Sequence, residues 1–337
     1  DKFFPNTEYK EKLFCYEIPH LYDVSVENCP KFKNLLQQWL GPSNIVIPDD
    51  IFEMIGYSMT MNTDMKMAFF IYGPSNTGKT QFQRILEHII GHQNRTNISL
   101  QRMCKNEFGT HGLQFKILNM VGDMSSLAIN DVGRFKELTG DDTYSHAEIK
   151  NGKQYDFRAI VKIWYNGNDI PMLEEDDDAF YNRWTLVEFP IVFPMYDDGT
   201  IKKIWKQICE DPIEVKGIIC EAISGLKRLM ERNYFRFEII ENTKHVWKAK
   251  SEPLYAFIHE KCITGPHEKV LCSKFLEQVN SYFYHNSKRR ITTPILTNQL
   301  EKYGIYKDRP KIDGVREYYY MGVGFKRKGE VDKYAVL

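Results

Sequence analysis

The chain contains the segment Gly73-Pro74-Ser75-Asn76-Thr77-Gly78-Lys79-Thr80, which fits the pattern G-x-x-x-x-G-K-[ST]. An apolar run at 67–72 predicts a buried strand before it, and apolar residues at helical spacing in 81–90 predict a helix after it. A glycine loop between a strand and a helix is the setting in which this motif binds phosphates. The sequence therefore predicts a site for a nucleoside triphosphate.

Each residue type in this segment suits phosphate chemistry. Gly73 and Gly78 let the backbone turn so that its amides point at phosphate oxygens, and the N-terminus of the following helix adds a positive field. Lys79 would reach the β- and γ-phosphates, and the Thr80 hydroxyl would ligate Mg²⁺. The expected ligand-binding residues are the whole loop, namely Gly73, Pro74, Ser75, Asn76, Thr77, Gly78, Lys79 and Thr80.

Three polar residues near later predicted strands are further candidates for catalysis. Asp123 follows a strand predicted over 115–121 and would hold Mg²⁺, although a surface turn would also explain it. Asn168 follows a strand predicted over 159–165 and would sense the γ-phosphate or orient water. Arg183 precedes a strand predicted over 185–189 and would stabilise charge on a neighbouring subunit's nucleotide, with a structural salt bridge as the alternative.

A β-hairpin is predicted between these strands. Residues 144–150 and 153–157 alternate in polarity around Asn151-Gly152, a strong signal for a tight turn. Lys150 and Lys153 flank the turn, so the hairpin would present ammonium groups to a negatively charged partner. An ordinary solvated hairpin with surface lysines is the alternative.

The length and composition indicate a folded protein of more than one domain, but they do not indicate its partners. The chain has 337 residues, 42% of them hydrophobic, which allows about two to three folded domains. Lys+Arg and Asp+Glu balance at 45 each, so net charge does not indicate a partner.

The longest apolar runs reach about six residues, far short of a membrane span. Seven scattered cysteines fit a reducing compartment, and a start at Asp1 without methionine fits part of a longer protein.

The N-terminal region, residues 1–62, is predicted to be helical and to serve packing and oligomerisation. Apolar residues from Phe32 to Leu40 form one amphipathic stripe. Asp49 or Asp50 is expected to cap a second helix that carries Ile51, Met54 and Ile55.

These features together resemble a superfamily 3 helicase, in particular the phage, plasmid and poxvirus type of primase-helicase. The resemblance extends outside the motor, to Asn28–Phe32 and the following helices, and to Val215–Leu229. The motifs that carry it within the motor are 73–80, Asp123, 136–140, the hairpin 144–157, Asn168-x-x-Pro171 and Arg183.

The resemblance implies an AAA+-type ring, a hexamer, with nucleotide bound between subunits and 3′-to-5′ translocation on single-stranded DNA. It implies that Asp123 is the metal-holding acid, Asn168 the sensor and Arg183 the arginine finger supplied in trans. Two departures matter. Met124 replaces an acid present in some relatives, which leaves the general base open, and Asn182 stands where relatives often have a second arginine.

The last part, residues 251–337, is predicted to be a winged-helix domain. Helical stripes at 254–262 and 275–283 and a helix around 292–302 precede an alternating run at 315–321. Residues 286–333 hold twelve Lys and Arg against six Asp and Glu, which suits a phosphate backbone, although winged helices also mediate protein contacts. His259, Cys262, His267 and Cys272 have spacings compatible with zinc, but helical spacing favours Cys262 as a core thiol.

The expected fold class is α/β: an AAA+-type P-loop NTPase core with an N-terminal helical domain and a C-terminal winged helix. The predicted domains are 1–62 (helical), 63–195 (ATPase core), 196–250 (helical segment) and 251–337 (winged helix). DNA contacts are expected from the hairpin and the C-terminal basic run, namely His146, Lys150, Lys153, Lys326, Arg327 and Lys328.

The predicted activity is ATP- and Mg²⁺-dependent unwinding of single-stranded and forked DNA in the replication of a plasmid, phage or virus, within the host cytoplasm. Any primase domain of the same full-length chain would lie outside these residues. A P-loop kinase is disfavoured because no acceptor-substrate site is recognisable. An origin-binding initiator that uses ATP only as an assembly switch remains the alternative.

Overall fold

The structure, a computed structural model, describes residues 16–26, 28–105, 110–125, 128–129, 131–140, 144–148, 154–194, 203–236, 242–286, 288–312 and 314–327. The chain divides into two compact units, one ending at His245 and one beginning at Val246. The division at residues 62, 195 and 250 expected from the sequence stays a prediction.

A five-stranded parallel sheet forms the centre of the first unit. Its strands are β1 (Ala68–Tyr72), β2 (Arg95–Thr96), β3 (Leu118–Val121), β6 (Lys162–Gly167) and β7 (Trp184–Glu188), arranged in the order β2-β3-β6-β1-β7. All neighbouring pairs run parallel. Strand β6 therefore lies between β1, which leads into the glycine loop, and β3, which leads to Asp123. The predicted α/β class with a parallel sheet is confirmed.

The strand before Asp123 is shorter than the sequence predicts. We expected it to begin at Phe115, but that residue has φ 59°, and Lys116 N–H donates to Leu113 O at 3.1 Å within a turn. A phenylalanine in the left-handed region cannot continue an extended strand. Phe115 is also 63% exposed, so its apolar character indicated burial that does not occur.

The helices of the first unit cover this sheet and pack on one another. They are α1 (Pro30–Leu40), α2 (Pro48–Ser58), α3 (Lys79–Ile90), α4 (Leu100–Lys105), α5 (Gly133–Leu138), α6 (Asp178–Tyr181), α7 (Ile204–Cys209) and α8 (Pro212–Arg232). The predicted stripe on α1 is buried, and its residues join one core with Phe69, Phe82 and Trp164. The expected helices at the N-terminus are confirmed.

The start of α2 differs from the expectation. Neither Asp49 nor Asp50 is the N-cap, because Ile47 occupies that position. Asp50 lies one turn inside the helix, and its carboxylate accepts a hydrogen bond from Ile47 N–H at 2.9 Å. The same carboxylate is paired with Arg236, with 2.7 Å between Arg236 Nε and Asp50 Oδ1. A capping-box arrangement, with the acid three residues after the cap, thus replaces direct capping.

The predicted hairpin is present as strands β4 (Tyr144–Glu148) and β5 (Gln154–Arg158), which pair antiparallel with His146 opposite Asp156. Its turn, residues 149–153, lies outside the described residues. Tyr155 on β5 is bound to the body of the unit, with 2.7 Å between its hydroxyl and His111 Nδ1.

The second unit combines helices with a small antiparallel sheet. Helix α9 (Thr243–Ser251) crosses the division, and α10 (Pro253–Lys261), β8 (Cys262–Leu271), α11 (Cys272–His285), α12 (Thr293–Glu301), β9 (Tyr306–Asp308), β10 (Lys311–Ile312), β11 (Val315–Arg316) and β12 (Tyr319–Phe325) follow. The sheet order is β8-β12-β9, and β10 and β11 form a separate short hairpin. The winged-helix assignment stays a prediction.

Strand β8 was not predicted. We placed Cys262 on a helix, but it is the first residue of β8, with φ −117° and ψ 159°. Cys262 and Cys272 both pack in the apolar core of this unit, which agrees with the expected core thiol. No helix in the described part of the chain is both long enough and apolar enough to cross a membrane.

Candidate functional site

The glycine loop joins β1 to α3 in a conformation that requires its two glycines. Gly73 has φ 147° and Gly78 has φ 97°, in or beside the left-handed range that side chains disfavour. A Cβ at Gly73 would collide with the carbonyl oxygen of Phe189, and a Cβ at Gly78 would collide with the indole nitrogen of Trp39. The loop is therefore held between β7 and helix α1.

Lys79 is buried at the centre of this loop, with 6% of its surface exposed. Its Nζ donates to Gly73 O and Pro74 O, both at 2.6 Å, and to Asn168 Oδ1 at 3.0 Å. Burial lowers the pKa of Lys79, and the carboxylate of Asp123 opposes that shift. The amine is thus held by neutral oxygen atoms that a phosphate could replace.

An open cleft of about 210 Å³ brings the predicted residues together. Its lining residues are Ser75, Asn76, Thr77, Gly78, Lys79, Thr80, Gln81, Asp123 and Asn168. Asp123 follows β3 and Asn168 follows β6, so both lie at the carboxyl edge of the sheet, where open α/β sheets bind ligands. Asn168 is also bound to the loop, because its Nδ2 lies 3.3 Å from Ser75 Oγ.

The turn that carries Asp123 has an unusual backbone. Asp123 has φ 49°, and its N–H donates to the side-chain oxygen of Asn166 at 2.8 Å. The next residue, Met124, donates from its N–H to Asn166 O at 2.8 Å and is buried. Asp123 is exposed toward the cleft that it lines. The position after Asp123 therefore presents no acidic group.

Arg183 does not belong to this cleft. It ends the turn before β7, and its carbonyl oxygen accepts a hydrogen bond from Ala68 N–H at 2.7 Å, at the amino end of β1. Its Nη1 donates to Ala179 O at 2.6 Å. The structure thus brings Lys79, Thr80, Asp123 and Asn168 together, and it separates Arg183 from them.

The expected DNA contacts are only partly described. Lys150, Lys153 and Lys328 lie outside the described residues, and His146 is described for its backbone alone. Lys326 Nζ donates to His259 O at 2.5 Å, and Arg327 is exposed at the end of β12.

Exposed basic residues of the second unit lie around the short hairpin β10–β11 rather than on the helix predicted around 292–302. Helix α12 contains no Lys or Arg. The ring of Tyr318, 50% exposed, has Lys307 Nζ 4.4 Å and Arg309 Cζ 5.0 Å from its centroid. Exposed basic side chains before the helix and around the hairpin are Lys288, Arg289, Arg290, Lys307, Arg309, Lys311 and Arg316.

Three residues that support the site were not singled out from the sequence. Trp39 lies against Gly78, Gln83 donates to Val121 O at 3.1 Å, and Asn166 binds the Asp123 turn. A usable signal existed for Asn166 only, since an asparagine near the end of an otherwise apolar strand requires a hydrogen-bonding reason. Nothing local in the sequence connects Trp39 with a loop almost forty residues later.

Comparisons with known proteins give limited information. Residues 71–183 match a family of unknown function (DUF5906), which covers the region from the glycine loop to Arg183. A comparison with curated proteins gave no match.

Solved structures similar to this chain include structures of the C-terminal region of NrS-1. The A form apo structure has 15% identity over 91% of this chain and 78% of that chain, with a TM-score of 0.45. The apo structure of residues 305–718 has 15% identity over 92% and 78%, with a TM-score of 0.44. Residue roles in this chain therefore rest on the geometry of its own site.

Proposed function

We propose that this protein is an ATP-hydrolysing DNA motor of the superfamily 3 helicase type. The observation that carries the proposal is the cleft in which Lys79, Thr80, Asp123 and Asn168 meet, at the carboxyl edge of a parallel sheet and the N-terminus of α3. A phosphate-binding loop, a metal-holding acid and a polar sensor are the parts that phosphoryl transfer requires.

The residues of the cleft fit Mg²⁺ and the phosphates of ATP. Lys79 is a buried cation whose present partners are neutral oxygens. Gly73 and Gly78 permit the loop conformation, because a Cβ at either position would collide with Phe189 or Trp39. The Thr80 hydroxyl and the Asp123 carboxylate are oxygen donors, which Mg²⁺ prefers. When bound, Mg²⁺ would neutralise charge that develops on the transferred phosphoryl group.

A ring assembly is supported by the position of Arg183. Within one subunit this arginine is at the far edge of the sheet from Lys79. An arginine finger is effective only beside the transferred phosphoryl group. Arg183 would therefore act on the nucleotide of a neighbouring subunit, in an AAA+-type ring that we propose to be hexameric.

Two features support DNA as the substrate: the resemblance to superfamily 3 helicases and the hairpin β4–β5. The proposed contacts in the ring channel are His146, Lys150 and Lys153, and hydrolysis would move these hairpins and pull single-stranded DNA through in the 3′-to-5′ direction. The second unit, as a winged helix, would add contacts from Lys326, Arg327 and Lys328. We place this motor in the replication protein of a plasmid, phage or virus in the host cytoplasm; any primase domain of the same full-length chain would lie outside these residues.

One observation favours a second function. Met124 is buried where a second acid would activate water, and the described cleft contains Asp123 as its only carboxylate. An origin-binding initiator that uses ATP binding as an assembly switch requires no rapid hydrolysis and would tolerate this arrangement.

Steady-state ATP turnover with and without single-stranded DNA tests the choice. We expect single-stranded DNA to stimulate ATP turnover by the wild type. Lys79→Ala should abolish turnover, and the control Lys227→Ala, at an exposed site, should keep it. Strand separation on a fork with a 3′ tail should follow the same pattern. Wild-type protein that binds ATP but shows no DNA-stimulated turnover would favour the initiator, and protein that binds no nucleotide would refute both.

A further inference from the structure

Asn166 is a buried polar residue near the end of the central strand β6, and the predicted site residues do not include it. It is completely buried, and its Nδ2 has no hydrogen-bond partner in the part of the chain that the structure describes. Buried amide groups in proteins are almost always paired. The retention of an amide at this position therefore calls for a functional explanation.

The strand pattern directs Asn166 toward the nucleotide side of the sheet. Side chains alternate along β6, so Asn166 lies on the same face as Trp164. Trp164 packs on Phe82 of α3, with 5.5 Å between ring centroids. Asn166 is thus two residues closer than Trp164 to the carboxyl edge, beneath the helix that begins at Lys79.

Asn166 holds two successive backbone amides of the Asp123 turn. Its side-chain oxygen accepts from Asp123 N–H, and its backbone oxygen accepts from Met124 N–H, both at 2.8 Å. Gln83 holds the preceding segment, because its Nε2 donates to Val121 O at 3.1 Å. These bonds keep Asp123 in the left-handed conformation with φ 49° that its environment must support.

We infer that Asn166 is a positioning residue that sets the direction in which Asp123 presents its carboxylate to the metal of a bound Mg²⁺–nucleotide. This inference deepens the proposed function and rests on it. Asn168, two residues later, contacts Lys79 directly, so the two asparagines have separate tasks: Asn166 orients the acid, and Asn168 faces the phosphate loop.

The orientation of a metal ligand by a hydrogen-bonded neighbour has a measurable effect. Loss of such a neighbour typically weakens metal affinity or activity by about 10- to 100-fold. The effect should appear in the contribution of Mg²⁺ to nucleotide binding and not in nucleotide binding without metal, because Asn166 does not line the cleft that holds the loop.

The experiment compares Kd values for a fluorescent ATP analogue in Mg²⁺ and in EDTA. The readout is the ratio of Kd in EDTA to Kd in Mg²⁺, which measures how much Mg²⁺ strengthens nucleotide binding. We expect Asn166→Leu to reduce this ratio by about 10- to 100-fold, with little change of Kd in EDTA. Asn166→Asp keeps an oxygen that accepts from Asp123 N–H, and its ratio should stay within about threefold of the wild type, well inside that loss.

Asn119→Leu serves as the matched control for loss of a buried asparagine. Asn119 lies on neighbouring β3, is equally buried, and is bound to Ile98 through both its side-chain atoms. Its substitution should lower the melting temperature without changing the Kd ratio.

A folded Asn166→Leu protein that keeps the wild-type ratio would overturn the inference. If the wild type itself shows no dependence of nucleotide binding on Mg²⁺, the proposed function fails instead, which distinguishes the two outcomes.

Discussion

Lys79 and Arg183 lie at opposite ends of the same pair of parallel strands. Arg183 O accepts from Ala68 N–H at the amino end of β1, whereas Lys79 Nζ donates to Gly73 O just past its carboxyl end. Strands β1 and β7 pair from Ala68–Trp184 to Tyr72–Glu188. At about 3.3 Å per residue, the strand alone separates the two sites by roughly 13 Å.

This separation determines how the two residues can cooperate. An arginine side chain held at Ala179 O cannot also reach phosphates at the other edge of the same sheet. If both residues contribute to hydrolysis, they must do so from different subunits. A ring is the proposed assembly in which both residues serve one nucleotide, with a structural role of Arg183 at Ala179 O as the alternative.

Asn168 should affect turnover more than nucleotide binding. It is bound to Lys79 Nζ at 3.0 Å and to Ser75 at 3.3 Å, so a bound γ-phosphate would exchange partners with it. Removing one stabilising donor near a transition state costs about 10²-fold in kcat. Asn168→Ala should lower kcat by about that factor while Kd for ATP changes by less than about fivefold, as single-turnover and equilibrium binding measurements would show. Equal losses in both quantities would argue against a sensor role.

Gly78→Ala should destabilise the first unit and abolish nucleotide binding. The alanine would have to keep a φ of 97°, which is unfavourable for a residue with a side chain, and its Cβ would collide with Trp39. Strain and overpacking together cost about 2–5 kcal/mol. Thermal unfolding and fluorescent-nucleotide titration measure the two effects.

Gly41→Ala is the control for Gly78→Ala within the same unit. Gly41 also has a left-handed φ of 70°, but its Cβ would meet only side-chain atoms of Ile191 and Pro190, the nearest at 3.3 Å. We expect a loss of about 1–3 kcal/mol from backbone strain, because φ 70° with ψ 167° is a conformation that essentially only glycine adopts, with nucleotide binding retained. If Gly41→Ala and Gly78→Ala lost the same nucleotide affinity, the contact of position 78 with Trp39 would be unimportant for binding.

Lys162 should make the stability of the first unit depend on pH. It is 1% exposed, donates to Thr60 O at 2.8 Å and Ile160 O at 2.9 Å, and burial lowers its pKa to about 7. Because the folded pKa is below the unfolded value, the unfolded chain binds more protons above pH 7. Stability should therefore rise with pH from about 7 toward the unfolded pKa of 10.5.

Lys162→Met should remove this contribution. Between pH 7 and pH 9 we expect the wild type to gain about 2 kcal/mol in unfolding free energy relative to the variant. Urea unfolding followed by tryptophan fluorescence measures it, since four of the five tryptophans lie in the first unit. Lys227→Met, at an exposed site of α8, should behave like the wild type. Parallel pH profiles of wild type and Lys162→Met would refute the prediction.

DNA binding by the second unit should depend on the basic residues around Tyr318 more than on α12. Lys307 and Arg309 flank the exposed ring of Tyr318, whereas α12 has no basic residue. Arg309→Ala should weaken binding to all sequences and reduce the slope of log K against log salt by about 0.9. Asn298→Ala, on the exposed face of α12, should leave that slope unchanged. A salt slope that Arg309→Ala does not alter would remove Arg309 from the interface.

The sequence predicted the parts of the fold that local patterns encode. The loop 73–80 with its strand and helix, the stripe on α1 and the two strands of the hairpin all follow from periodicity and turn chemistry. Asp123 and Asn168 were found because each follows a predicted strand, where P-loop enzymes place a metal-holding acid and a sensor.

Other features depend on tertiary contacts that no local pattern records. Phe115 looked like a strand residue but lies in a turn, and Cys262 fitted a helical stripe but begins β8. The burial of Lys162, the contact of Trp39 with Gly78 and the clamp of Asn166 on Asp123 arise from pairing across strands and helices distant in sequence. Propensity is overridden at such positions by packing.

Complementation between two inactive variants tests the central claim most directly. Lys79→Ala and Arg183→Ala would each be measured alone for DNA-stimulated ATP turnover and then assembled together from a 1:1 mixture of unfolded or dissociated chains. In a ring, an Arg183→Ala subunit with an intact Lys79 can receive Arg183 from a Lys79→Ala neighbour. Random assembly restores about a quarter of the interfaces, so we expect recovery toward about a quarter of wild-type turnover. Two results would contradict hydrolysis between subunits. One is a set of mixed oligomers, shown to contain both variants, that is as inactive as each variant alone; the other is normal turnover by Arg183→Ala.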